Sequence, residues 1–96
     1  MIDLSIVTVT KNNPKELNFT LNSIFNQTDK KNVELIIVNG GKKLKKNFKN
    51  KNIKISVSED KSSGIYNAMN QGAKLAKGNH ILFLNSGDIF NNNYVL

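Results

Sequence analysis

Apolar residues in this chain fall into four short runs separated by polar stretches. The runs cover residues 4–9, 34–38, 53–57 and 80–84, and their length and β-branched content predict β-strands. The second and fourth runs are apolar at consecutive positions, which is typical of strands covered on both faces. The third run alternates apolar and polar residues, so we expect an edge strand with one face in solvent.

A first helix is predicted directly after the first strand. Asn13 is a favourable N-cap, Pro14 suits the first helical position, and Glu16 follows three residues after the cap. Apolar residues then recur at helical spacing, at Leu17, Leu21, Ile24 and Phe25. This pattern predicts an amphipathic helix that packs on the sheet.

A second helix is predicted to begin near Gly64. One side of it carries small and apolar residues, namely Ile65, Met69, Gly72 and Ala76. We expect Ile65 and Met69 to pack on the sheet, whereas Tyr66 fits a core aromatic and a cleft wall equally well. Gly78 is placed to end the helix in a left-handed cap.

The order strand–helix–strand–strand–helix–strand predicts an α/β fold. We expect one domain over residues 1–96, with an open, Rossmann-like parallel sheet and right-handed crossovers. Ligands bind beyond the carboxyl ends of the strands in such sheets. Polar and glycine-rich segments follow all four predicted strands, at residues 10–13, 39–41, 58–61 and 85–88. A binding cleft is therefore expected at this edge.

The composition and the absence of common motifs exclude several kinds of functional site. The chain has 96 residues and no Cys, which excludes disulfides, thiolate metal centres and a cysteine nucleophile. No phosphate-binding G-x-x-x-x-G-K-[ST] or G-x-G-x-x-G motif occurs. The lone His80 has no Ser or Asp partner pattern, so it is expected to be an ordinary sheet-edge histidine.

The net charge of +7 is concentrated in one segment. Seven of the lysines lie between Lys42 and Lys54, and the chain has no Arg. Nucleic-acid readers usually add Arg and exposed aromatic residues, and only Phe48 lies in this segment. We therefore favour a solvated loop and no specific nucleic-acid partner. The alternative function is a basic interaction module that binds nucleic acid through residues 42–54.

Asp88 follows the fourth strand in the segment Asn85-Ser86-Gly87-Asp88. A carboxylate at the cleft edge can hold Mg²⁺ or Mn²⁺, and the metal can bridge a diphosphate. A turn-forming aspartate is an equal alternative on position alone, because Ser-Gly-Asp is common turn chemistry.

Four segments together resemble family 2 glycosyltransferases of the GT-A fold. They are SIVTVTKNN at 5–13, ELIIVNGG at 34–41, DKSSGIYNAMNQG at 60–72 and FLNSGD at 83–88. The third is similar to the GIYDAMNKG segment of transferases in colanic acid and related polysaccharide pathways. The resemblance spans almost the whole chain and the front half of the family's catalytic domain, and it implies the sheet order 3-2-1-4.

The resemblance also implies residue roles. The nucleotide-sugar-binding positions are Thr8, Thr10, Asn12, Asn39, Asp60, Lys61 and Asn70. Asn39 stands where the family usually has an acid that contacts the base, and Lys61 is a diphosphate contact. Asp88 is the metal ligand for Mg²⁺ or Mn²⁺, with Gly87 in place of the other acid of the metal motif.

The implied function is transfer of a sugar from a UDP- or GDP-linked donor to a glycan or lipid-linked acceptor. The catalytic residues stay unassigned, because the family's general base lies beyond the segments matched here, so we expect an incomplete catalyst. Strand four becomes an apolar edge in the implied sheet order, which predicts homo-oligomers through that edge. No apolar run approaches the length of a membrane span, so we expect a protein in the cytoplasm or peripheral at the inner face of the membrane.

Overall fold

The computed structural model describes residues 2–27, 32–41, 44, 48, 52–60 and 64–85. The elements are β1 (Leu4–Lys11), α1 (Pro14–Phe25), β2 (Val33–Gly40), β3 (Lys54–Glu59), α2 (Ile65–Leu75) and β4 (His80–Phe83). These are the predicted elements in the predicted order, and the strand boundaries differ from prediction by no more than two residues.

The strands form one sheet in the order β3-β2-β1-β4, and all three pairings are parallel. This confirms the predicted sheet order. Leu4 of β1 aligns with Val33 of β2 and with His80 of β4, so the strands start level at their amino ends. Their carboxyl ends consequently meet along one edge.

Helix α1 covers one face of the sheet and forms the larger part of the core. The Asn13 Oδ1 accepts a hydrogen bond from the Glu16 amide at 3.2 Å, as the predicted cap requires. The buried apolar face of α1 then packs on alternate strand residues, in a cluster that includes Leu17, Leu21, Ile24, Ile6, Leu35 and Ile37. The amphipathic pattern thus places α1 as predicted.

Helix α2 packs on the opposite face through small residues. Ala68 is buried against the sheet beside Val7 and Val38. A Cβ on Gly72 would overlap the Val7 side chain and lie 3.1 Å from the Val38 Cγ2. The backbone of α2 therefore approaches β1 and β2 closely, which only small side chains allow.

The predicted packing of Ile65 on the sheet is wrong. Ile65 is 58% exposed, and Met69 is half-buried. The reason is that Ala68 and Gly72 make the contact with the sheet, while Ile65 begins α2 at the open edge of the strands. Tyr66 is 76% exposed, which excludes its role as a core aromatic.

The predicted left-handed cap at Gly78 is also wrong. Helix α2 ends at Leu75, and Gly78 is not among the described residues with positive φ. Instead, a Cβ on Gly78 would lie 2.8 Å from the Ser5 nitrogen, so glycine is needed for close approach. The Gly78 amide donates to the Ser5 hydroxyl at 2.8 Å, and that hydroxyl donates to the buried Glu34 carboxylate at 2.6 Å.

The two sheet edges differ. Every residue of β3 is exposed or half-buried, as expected of the predicted edge strand. β4 was expected to be covered on both faces, and this is wrong: Ile81 is 43% and Phe83 39% exposed. Their side of the sheet carries α2, which packs over β1 and β2 rather than over β4.

Candidate functional site

A cleft of about 510 Å³ lies at the carboxyl ends of the strands, between the starts of the two helices. Its walls come from all six elements or the residues next to them. The lining residues are Val9, Thr10, Lys11, Asn13, Glu16, Gly40, Gly41, Asp60, Gly64, Ile65, Ala68 and Asn85. The cleft therefore lies at the edge where the sequence predicts ligand binding.

Two residues with left-handed backbones shape the ends of β1 and β2. Asn12 has φ 52° and Gly41 has φ 78°. Asn tolerates this conformation better than most residues, and Gly adopts it freely. A Cβ on Gly41 would overlap the Asn12 side-chain amide. The two strand ends thus fit against each other, and glycine at position 41 suits both the left-handed backbone and the space that the Asn12 side chain leaves.

On the floor of the cleft, the side chains of Lys11 and Asp60 both lie beside Gly40, which has no side chain of its own. Lys11 aligns with Gly40 in the β1–β2 register. A Cβ on Gly40 would lie 3.6 Å from the Lys11 Cγ and 3.5 Å from the Asp60 Oδ2. Asp60 is held there by its amide, which donates to the Asn39 carbonyl oxygen at 2.7 Å.

Polar side chains also align across three strands on the α1 face of the sheet. Thr10 aligns with Asn39, and Asn39 with Glu59. Asn39 is buried, and its Nδ2 donates to the Glu59 Oε1 at 3.1 Å. The Thr8 and Thr10 hydroxyls are buried with no hydrogen-bond partner among the described residues. Such polar groups inside a sheet are unusual unless a ligand or water satisfies them.

Asn85 ties the end of β4 to both helices. Its Oδ1 accepts from the Val9 amide at 3.4 Å, and its carbonyl oxygen accepts from the Thr20 hydroxyl at 3.4 Å. Its Nδ2 lies 4.0 Å from the sulfur of Met69. Asn85 therefore holds the cleft wall together. Sequence analysis did not select it, although its position directly after β4 was a signal.

The structure brings four of the predicted site residues together. Thr10 and Asp60 line the cleft. Asn12 packs beside it against Gly41, and Asn39 lies at the end of β2 in hydrogen-bond contact with the Asp60 backbone. Lys11 and Glu16 also line the cleft, and sequence analysis did not assign them to the site.

Two other predicted site residues, Thr8 and Asn70, do not line the cleft. Thr8 is buried within β1, and Asn70 is exposed on α2 outside the cleft wall. Lys61 and Asp88 lie outside the residues that the structure describes. Most of the segment from Lys42 to Lys54 does so as well.

The charges and oxygen donors of the cleft bear on metal binding. Among the described lining residues, Lys11 is the one cation, against the carboxylates of Glu16 and Asp60. The described residues hold no cluster of three or more His, Cys, Asp or Glu side chains. Mg²⁺ commonly binds through one or two carboxylates plus ligand phosphates. The cleft thus fits a cation shared with a phosphate ligand rather than a closed protein cage.

The family of the chain is decided by a sequence comparison. The model of glycosyl transferase family 2 matches residues 5–96. The chain belongs to glycosyl transferase family 2. This confirms the family predicted from the four segments. No curated protein matches the chain in a second comparison, and no helix in the described ranges is long and apolar enough to cross a membrane.

Solved structures of S. aureus TarS share the fold of this family 2 domain. TarS 1–349 is 22% identical with a TM-score of 0.74, over 94% of this chain and 29% of that one. Its complex with UDP is 22% identical with a TM-score of 0.76, over 97% of this chain and 29% of that one. Its complex with UDP-GlcNAc is 21% identical with a TM-score of 0.67, over 90% of this chain and 27% of that one. The chain thus spans less than a third of these structures, and it has the α/β architecture of GT-A proteins.

Proposed function

We propose that this family 2 domain binds a nucleotide-diphospho-sugar in the cleft and serves as the donor-binding part of a glycosyltransferase. The observation that carries the proposal is the cleft itself. It gathers Thr10, Lys11, Asp60 and Asn85 at the carboxyl edge of a family 2 sheet. The proposed donor is UDP- or GDP-linked. TarS structures that share the fold were solved with UDP and with UDP-GlcNAc.

Each side of the cleft has a proposed task. Thr10 and Asn12 border the nucleotide. Asn39 takes the place of the family's base-contacting acid as a neutral residue, and its amide nitrogen donates to Glu59. Lys11 supplies positive charge for the diphosphate, since its stem lies beside the bare backbone of Gly40. Lys61, which follows Asp60 directly, is a second proposed diphosphate contact.

A divalent cation is part of the proposal because of charge. The described lining has two carboxylates and one lysine, so a diphosphate would bring further negative charge next to two carboxylates. Bound Mg²⁺ or Mn²⁺ would neutralise charge that develops on the leaving diphosphate. Asp88 is the proposed protein ligand of the cation, and Asp60, which lines the cleft, is proposed to face the same cation.

The proposed acceptor is a glycan or lipid-linked saccharide, as in pathways of the colanic acid type. Its hydroxyl needs a general base. Glu59 is engaged with the Asn39 amide, and Asp60 lines the donor cleft, so neither is proposed for this task. We therefore propose that the chain alone binds donor without transferring sugar.

Calorimetric titration tests the proposal. UDP and GDP are titrated into the wild-type chain with and without Mn²⁺. We expect binding of one nucleotide at about millimolar concentration or below, dependent on Mn²⁺ and abolished by Asp88→Ala. No binding by the wild type, or equal binding by Asp88→Ala, contradicts the proposal. Binding of nucleic acid that weakens steeply with salt and survives Asp88→Ala would favour the basic interaction module instead.

A further inference from the structure

The first turn of α2 leaves two large apolar side chains exposed beside the cleft. Ile65 is 58% exposed and lines the cleft, and its neighbour Tyr66 is 76% exposed. The helix does not need either side chain for packing, because Ala68 and Gly72 form its contact with the sheet. Two adjacent exposed side chains of this kind at a cleft offer a surface for ligand contact.

Most of the remaining lining of the cleft is polar. Asn13 and Glu16 line it from the start of α1, and Asp60 and Asn85 from the ends of β3 and β4. These side chains offer carboxylate and amide oxygens, and amide donors, which suit hydroxyl groups. The cleft is therefore lined by hydrogen-bonding groups together with the apolar side chains of Ile65 and Ala68, and the exposed Tyr66 follows Ile65 in the same helical turn.

A pyranose ring has the matching two-sided chemistry. Its hydroxyl groups need hydrogen-bond partners, while its C–H face is apolar and packs on aromatic and aliphatic side chains. Free nucleotide lacks the pyranose ring, so a contact with that ring affects only the sugar conjugate. We propose that Ile65 and Tyr66 form a sugar platform, on which the sugar ring of the donor stacks while its hydroxyl groups bind the polar residues of the lining. This rests on the proposed donor binding and adds the residues that would read the sugar.

Paired titrations test the platform. UDP and GDP, each alone and as sugar conjugates such as UDP-GlcNAc and UDP-glucose, are titrated into wild type, Tyr66→Ala and Tyr66→Phe in Mn²⁺. We expect at least one conjugate to bind wild type more tightly than its free nucleotide. Tyr66→Ala should weaken that conjugate roughly three- to tenfold and leave the free nucleotide unchanged, while Tyr66→Phe keeps the ring and the affinity.

Leu75→Ala is the matched control, because Leu75 is also exposed and lies at the other end of α2. Leu75→Ala should change neither the affinity for free nucleotide nor the affinity for the sugar conjugate. Circular dichroism of each variant checks that α2 is intact. The platform is overturned if Tyr66→Ala leaves every conjugate at its wild-type affinity, or weakens free nucleotide equally. If the wild type binds neither free nucleotide, the proposed function is overturned as well. Failure of the platform alone is therefore distinguishable from failure of donor binding.

Discussion

Single residues at the cleft are fixed by local geometry that the sequence shows only in part. The glycines at positions 40 and 41 were visible as a turn signal after a strand. The overlap between a Cβ at Gly41 and the Asn12 amide was not visible, because it depends on how β1 and β2 align. The same holds for the contact between Asn39 and Glu59, which are 20 positions apart in sequence.

Gly41→Ala should destabilise the chain more than Gly64→Ala. Both glycines have positive φ, so each substitution adds backbone strain of about 1–3 kcal/mol. Only Gly41 also has a neighbour in the way, since the space beside Gly64 is open. Urea unfolding measures the difference. Combining Gly41→Ala with Asn12→Gly should recover the steric part of the loss, and equal destabilisation by the two single variants would contradict this account.

Whole elements were predictable where the pattern was strong. The cap at Asn13 and the apolar positions of α1 gave the correct helix and the correct buried face. The face of α2 was harder, because small residues make its contact and the larger Ile65 is exposed. A pattern based on side-chain size favours the wrong residue when a helix packs through Ala and Gly.

Gly72→Ala tests the close packing of α2. Alanine favours a helix by about 1 kcal/mol over glycine, yet the added Cβ would overlap the Val7 side chain. We therefore expect net destabilisation, measured by thermal unfolding. Asn70→Ala is the control on the exposed side of the same helix and should be neutral or slightly stabilising. The double variant Val7→Ala/Gly72→Ala should lose less stability than the sum of the losses in the two single variants, because the smaller residue at position 7 makes room for the added Cβ. Strictly additive losses would argue against the contact.

At the scale of the whole molecule, the sheet order was predictable from the family resemblance, whereas the exposure of β4 depended on where α2 lies. The β4 edge has no charged side chain of the kind found on β3, where Lys54 and Glu59 are exposed. The β4 side chains Ile81 and Phe83 are apolar and exposed. An uncharged apolar edge favours pairing with another strand.

We therefore predict self-association through β4. Sedimentation of the wild-type chain across micromolar concentrations should show a species larger than a monomer. Ile81→Lys should shift it to monomer, because a lysine on an edge strand opposes pairing. Val57→Lys, on the β3 edge, is the control and should leave the assembly as in wild type. A wild-type monomer at all concentrations would contradict the prediction.

The central claim is that the cleft at the carboxyl edge holds a nucleotide, and amide chemical-shift mapping tests it most directly. UDP or GDP with Mg²⁺ is added to the ¹⁵N-labelled chain, and the glycine amides are followed. We predict shifts at Gly40, Gly41 and Gly64, which line the cleft, and none at Gly78, which contacts Ser5 at the opposite edge. Shifts at Gly78 with none at the cleft glycines, or no shifts with either nucleotide, would contradict the account.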